Sequence, residues 1–185
     1  MFARLFGRRA APTEAQTLFA RIVEQARSPD FYTHCGVPDS FDGRFEMVAL
    51  HAFLVLHRLK GAEGASAKAV AQDLVDILFA DIDRTFRELG AADIGVGRRV
   101  QKVAEAVYGR IAAYDQALAA PEPALAEAIQ RNVYGTVAEA QRPGHDGPAT
   151  MADYVRRCVV GLAAAPDSAL IAGTIRFAAP PGRQD

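Results

Sequence analysis

Acidic, basic and imidazole side chains are the groups in this chain able to move protons, hold metals or pair with a partner, and two segments concentrate them. The stretch FADIDRTFRELG (79–90) sets Asp81, Asp83, Arg84, Arg87 and Glu88 among Phe79, Ile82, Phe86 and Leu89. At helical spacing Asp76, Asp83 and Arg87 share one face, and Asp81, Arg84 and Glu88 share another. Arg44, His51 and Arg58 recur at intervals of seven on a segment that is otherwise apolar. If this cationic stripe meets the acidic one, the two form a half-buried ion-pair network, which specifies helix pairing more than it adds stability. Facing outward, the same charges make a partner surface.

Catalytic and metal chemistry finds little support. A di-metal bundle site needs Glu-x-x-His pairs on facing helices, whereas Glu46 lies five residues before His51, and His51 and His57 fall on different faces. His34 and Cys35 sit together near Asp39, but adjacent residues do not give a Cys–His couple its geometry, and Cys35 reads as a small buried apolar group. His145, in the loop RPGHDGP, reads as solvated. Gly95 and Gly97 lack the strand that a phosphate loop requires, and no serine elbow occurs. The chain therefore reads as a non-enzyme without metal or cofactor. The alternative from another class is a haem- or small-molecule-binding bundle with His51 or His34 as ligand.

The elements that position these residues are helical. Thr13 and Gln16 match a capping box, opening a helix over about 13–27 with a stripe of Leu18, Phe19, Ile22, Val23 and Ala26; Ser28-Pro29 stops it. A loop punctuated by Gly36, Pro38 and Gly43 follows, where Asp39, Ser40 or Asp42 caps the next helix. That helix, about 44–60, is apolar nearly all round, so it is central and buried. Others are expected over about 67–89, 98–119, 123–141 and 149–164. In the third, Leu74, Leu78, Ile82 and Phe86 recur every four residues. In the fifth, Thr136 and Val137 extend the inward stripe. After Pro166 the pattern weakens, and LIAGTIRF (170–177) reads as a short strand or an extended strap. The expected fold is all-α, one bundle of about six helices with a short extended C-terminal strap. Residues 1–12 form a basic flexible tail, 13–177 the helical domain, and 178–185 a disordered tail.

Composition bounds the partners. With 21 basic and 22 acidic residues the net charge is −1, so no overall field recruits nucleic acid. Two distant cysteines give no disulfide framework or zinc knuckle and suit a reducing compartment. No apolar run reaches the ~18 residues of a membrane span. MFARLFGRR (1–9) lacks the apolar core of a secretory signal; it reads either as a frayed tail or as a basic amphipathic contact to anionic lipid.

Three segments together carry a family resemblance: YTHCGVPDSFDGRFEMVALHAFLVLHRLK (32–60), AQDLVDILFADIDRTFRELGAADIGVGRRVQKVAEAVYGRIAAYDQAL (71–118) and, more weakly, LIAGTIRF. The combination of the Gly-Val-Pro-Asp loop, the Asp-Gly-Arg-Phe helix start, Leu-His, Asp-x-Asp-Arg and Arg-Glu resembles the ubiquinol–cytochrome c chaperone family. That resemblance implies a non-enzymatic helical chaperone of bc1 complex biogenesis, binding newly made cytochrome b. In mitochondria such proteins work with a small partner protein near the ribosome exit; without a long N-terminal extension this chain resembles a bacterial-type member, cytoplasmic and peripheral on the inner face of the plasma membrane. An accessory structural subunit of a respiratory complex is the competing use of the same fold. The motif match marks Asp39, Asp42, Arg44, His51, Asp76, Asp81, Asp83, Arg84, Arg87, Glu88, Tyr108 and Arg110 as partner-binding or network positions. A site for an apolar client helix wants an amphipathic groove rimmed by charge; Phe41, Phe45, Tyr108 and Tyr114 are the aromatic candidates for it, with core packing as their other use.

Overall fold

At the start of α1 (Glu14–Ala26) the Thr13 hydroxyl accepts the Gln16 amide at 3.2 Å and the Gln16 side chain accepts the Thr13 amide at 3.0 Å. Two orphan donors of the first turn are thereby satisfied reciprocally. The computed structural model describes residues 13–88, 96–136 and 146–182, apart from the side chains of residues 86, 96–103 and 146. Over these residues the chain is all-α: α2 (Pro29–Thr33), α3 (Phe41–Lys60), α4 (Ala65–Glu88), α5 (Val96–Ala119), α6 (Ala124–Val133), α7 (Asp146–Ala164) and α8 (Asp167–Ile171) follow α1. The bundle thus has two short helices more than the six expected. The expected basic tail, residues 1–12, lies outside the described residues.

α3 is the axis. It packs against α1, α4, α5, α6 and α7, and Met47, Leu50, Phe53, Leu54 and Val55 are buried on several of its sides. Full burial of each such side chain is worth roughly 1.5–3 kcal/mol, so the near-continuous apolar surface of this helix is what gathers the others. Its start lies three residues earlier than expected. Ser40 is the cap, its hydroxyl accepting from Gly43 at 3.2 Å. The Pro38 carbonyl crosses so close that a Cβ on Gly43 would stand 2.0 Å from it, which explains the glycine of the Asp-Gly-Arg-Phe run.

Three expectations are corrected. The loop after Pro29 begins as helix α2: proline suits a first helical position, Phe31 is fully buried, and the Tyr32 hydroxyl donates to the Ala26 carbonyl at 2.8 Å. The fifth expected helix ends at Val133, not near residue 141. Tyr134 leaves the helix to bury its ring and donate to the Cys35 carbonyl at 2.8 Å, and Thr136 lies exposed in a turn; Val137 is outside the described residues. The start of LIAGTIRF is helix α8, closed by Gly173 at φ 72°. Gly173 donates to Leu170 and Thr174 to Ala169, the paired bonds of a left-handed glycine stop. This turn launches the strap, extended from residue 174 to 182, with Ile175 and Pro181 buried. The segment expected as a tail from residue 178 is described as far as Gly182; the Ala178 carbonyl accepts from Gln25 at 3.0 Å.

Candidate partner-binding groove

The two charged stripes do not pair with each other. Arg44 turns back to Asp39 at 2.6 Å, His51 is enclosed by the core, and Arg58 reaches α8, pairing with Asp167 at 2.5 Å and donating to the Leu162 and Ala165 carbonyls. On α4 the charges pair along their own helix: Asp81 with Arg84, Asp83 with Arg87 at 2.9 Å, and Asp76 with Gln72 at 2.9 Å. Local i,i+3 and i,i+4 partners lie nearer than a neighbouring helix, so the expected cross-helix network is replaced by surface pairs worth only a few tenths of a kcal/mol each (roughly 0.2–0.5). Asp42 and Glu88 are exposed.

A buried interhelical ion pair does form, and the charged stripes gave no sign of it. Glu46, 2% exposed, faces Arg110 of α5, whose Nε lies 2.7 and 2.6 Å from the two carboxylate oxygens while Nη2 also bonds Oε1. The guanidinium lies 5.4 Å from the centre of the Phe45 ring. Burial raises the Glu46 carboxyl above its ordinary value, with Arg110 pulling it back. The family resemblance marked Arg110; only the one-turn offset of Glu46 from the apolar residues of its helix marks the partner.

His51 anchors a second buried cluster. Its Nδ1–H donates to the Met47 carbonyl at 2.7 Å and its Nε2 accepts from the Tyr154 hydroxyl at 2.7 Å; Gln25 in turn donates to Tyr154 at 3.0 Å. Phe31 and Phe177 pack edge-on to the imidazole at 5.5 and 5.1 Å. Burial holds this ring down to about 4, against the pull of the Met47 carbonyl, so it is neutral at physiological pH. Both nitrogens are occupied, which leaves none for a haem iron. His34 lies apart, 3.4 Å from Asp30 on the surface. Burial pushes the neighbouring Cys35 thiol up to about 11, the wrong direction for a nucleophile. Among the described residues no group of three or more His, Cys, Asp or Glu side chains converges as a metal site.

What the fold does assemble is a groove between the first half of α3 and the last half of α4. Phe41, Phe45, Val48, Leu78 and Ile82 line it, with Arg27, Arg44, Asp81 and Thr85 at its edges, around about 220 Å³ of space. Phe41 is 41% exposed although it is large and apolar. Of the aromatic candidates, Phe41 and Phe45 therefore meet in the groove. Tyr108 is 53% exposed and lies 5.7 Å from Phe79, between α4 and α5, whereas Tyr114 is core. Arg44 and Asp81 are the charged candidates brought to the same opening, and Asp39 holds Arg44 there.

The model of the Ubiquinol-cytochrome C chaperone family matches residues 33–177, which include every residue of the groove except Arg27. Ubiquinol-cytochrome c reductase complex assembly factor 1 of Mus musculus is 24% identical over 143 residues, 77% of this chain and 47% of its own length. Protein CBP3, mitochondrial, of Saccharomyces cerevisiae is 29% identical over 110 residues, 57% of this chain and 32% of its own. The chain thus spans about half the length, or less, of these two curated relatives. The crystal structure of the Cbp3 homolog from Brucella abortus has a TM-score of 0.80 to this chain at 38% identity, covering 90% of this chain and 89% of that one.

Proposed function

Because the chain belongs to the ubiquinol–cytochrome c chaperone family, we propose that it is a non-enzymatic assembly chaperone for the ubiquinol–cytochrome c reductase (bc1) complex, with newly made cytochrome b as client. The family match across α3 and α4 is the observation that carries this reading. The groove supports it: Phe41, Phe45, Val48 and Ile82 offer an apolar helix a surface to replace lipid, while Arg44 and Asp81 fix its register. The exposed charges of Asp42, Asp76, Arg84, Arg87 and Glu88, with the half-buried Asp83, extend the contact beyond the groove and keep the face soluble between clients. Tyr108 supplies an aromatic contact at its margin.

Among the described residues no helix is long and apolar enough to cross a membrane, which suits a chaperone that meets its client at the bilayer surface. The same reading puts the chain in the cytoplasm, peripheral at the inner face of the plasma membrane, with residues 1–9 touching anionic lipid and a small assembly protein as second partner. The test is affinity capture after in vivo crosslinking from detergent-solubilised native membranes, beside bc1 levels in a deletion strain. Recovery of cytochrome b with less assembled bc1 in the deletion supports the proposal. Normal bc1 and no cytochrome b would overturn it, and permanent co-purification with mature bc1 would mean an accessory subunit instead.

A further inference from the structure

A separate cleft of about 510 Å³ runs between α1 and the strap, lined by Thr17, Arg21, Glu24 and Gln25 on one side and residues 173–177 on the other. Its second wall has an unusual property in an all-α protein. The strap is extended, yet no backbone N–H or C=O of residues 175–177 bonds to another described residue. The chain is nevertheless fixed: Ile175 is 4% exposed, Phe177 packs edge-on to the His51 ring, and the Ala178 carbonyl accepts from Gln25. An extended segment whose backbone groups make no bond to another described residue offers them for strand addition. Holding it in place beforehand removes much of the ordering cost of binding.

Charge selects what adds to it. Arg21 is tied to Glu24 at 2.7 Å, while Arg176 is exposed and has no ion-pair partner among the described residues. The rim therefore carries two arginines against one glutamate. The chain's own N-terminus, with Arg4, Arg8 and Arg9, has the wrong sign to fill it. We propose that this cleft takes an extended acidic peptide segment of a partner protein, which pairs as a strand with residues 175–177 and sets a carboxylate against Arg176. This contact is distinct from the α3–α4 groove and holds whether or not the groove binds cytochrome b.

The experiment selects ten-residue peptides from a random display library on the full chain, then measures affinity and amide hydrogen exchange with a selected peptide. The expected result is enrichment of acidic sequences and slowed exchange at residues 175–177. Arg176→Glu should weaken binding about tenfold with an unchanged melting curve. N-methylation of alternate peptide residues should abolish binding in one register and spare it in the other, because alternate backbone groups of a strand face opposite edges. Lack of enrichment, protection confined to other parts of the chain, or equal tolerance of both methylation registers would overturn the proposal.

Discussion

Removing Arg110 tests the buried electrostatics most sharply. Arg110→Ala leaves the Glu46 carboxylate, only 3% exposed at its side chain, without the guanidinium that holds both its oxygens. Breaking a buried pair from one side costs about 3–5 kcal/mol. The 24% exposure of the Arg110 side chain admits some water to the orphaned carboxylate, which sets the expectation near the lower end, about 3 kcal/mol. For a chain of this length that is a fall in melting temperature of about 6–12 °C, read by circular dichroism at pH 7. The pH dependence gives the diagnostic. Burial already raises the Glu46 carboxyl, and loss of Arg110 removes the opposing pull. A carboxyl whose folded value exceeds its unfolded value, about 4.3, stabilises the fold below that unfolded value and loses this contribution as pH climbs through the folded one. The gap between Arg110→Ala and the parent should therefore be widest near pH 7 and narrow toward pH 5, and adding Glu46→Gln should restore part of the loss at pH 7. A variant melting within about 2 °C of the parent, or a gap that widens in acid, would refute the reasoning.

His51 makes the opposite pH contribution. Its folded value of about 4 lies below the unfolded value of about 6.5, so its stabilisation is complete above pH 6.5 and is lost as pH falls through 4. Urea titrations should show about 2 kcal/mol lost to this group between pH 7 and 5, a slope that His51→Gln removes; an equal slope in the variant counts against the assignment. Gly43→Ala drives a Cβ against the Pro38 carbonyl and should cost about 2 kcal/mol despite the better helix propensity of alanine, whereas a raised urea midpoint would mean the loop yields freely. Thr13→Ala opens the capping box and should cost about 1 kcal/mol by the same titration, with no change implying a frayed first turn.

The all-α architecture could be read from the chain because its longer helices bury faces at a regular spacing. The all-round apolarity of residues 44–60 marked the central helix, and Thr13 with Gln16 marked the first cap. α2 and α8 escaped because five residues give no period; Phe31 and Leu170 become helical by docking onto the core, a tertiary effect. The end of α6 was misplaced because Tyr134 reads equally well as a helix residue until its hydroxyl finds the Cys35 carbonyl. The charged stripes misled for a related reason: spacing establishes which residues share a face, but not whether a neighbouring helix offers a partner before the next turn does. Arg44 and Asp81 come to one opening not through pairing with each other but through the approach of α3 to α4. The apolar lining was legible piecemeal, as Phe41 and Phe45 on one helix and Leu78 and Ile82 on another, without a signal that the two rows leave a groove.

The central claim is that the α3–α4 groove receives cytochrome b. A photoreactive amino acid placed at residue 41, and as a control at residue 160, where Val160 is 70% exposed on α7, should be irradiated in living cells and the adducts identified by mass spectrometry. The account predicts adducts to cytochrome b from position 41 and none from position 160. Adducts to cytochrome b from 160 alone, or none from either position while bc1 is being made, would contradict it.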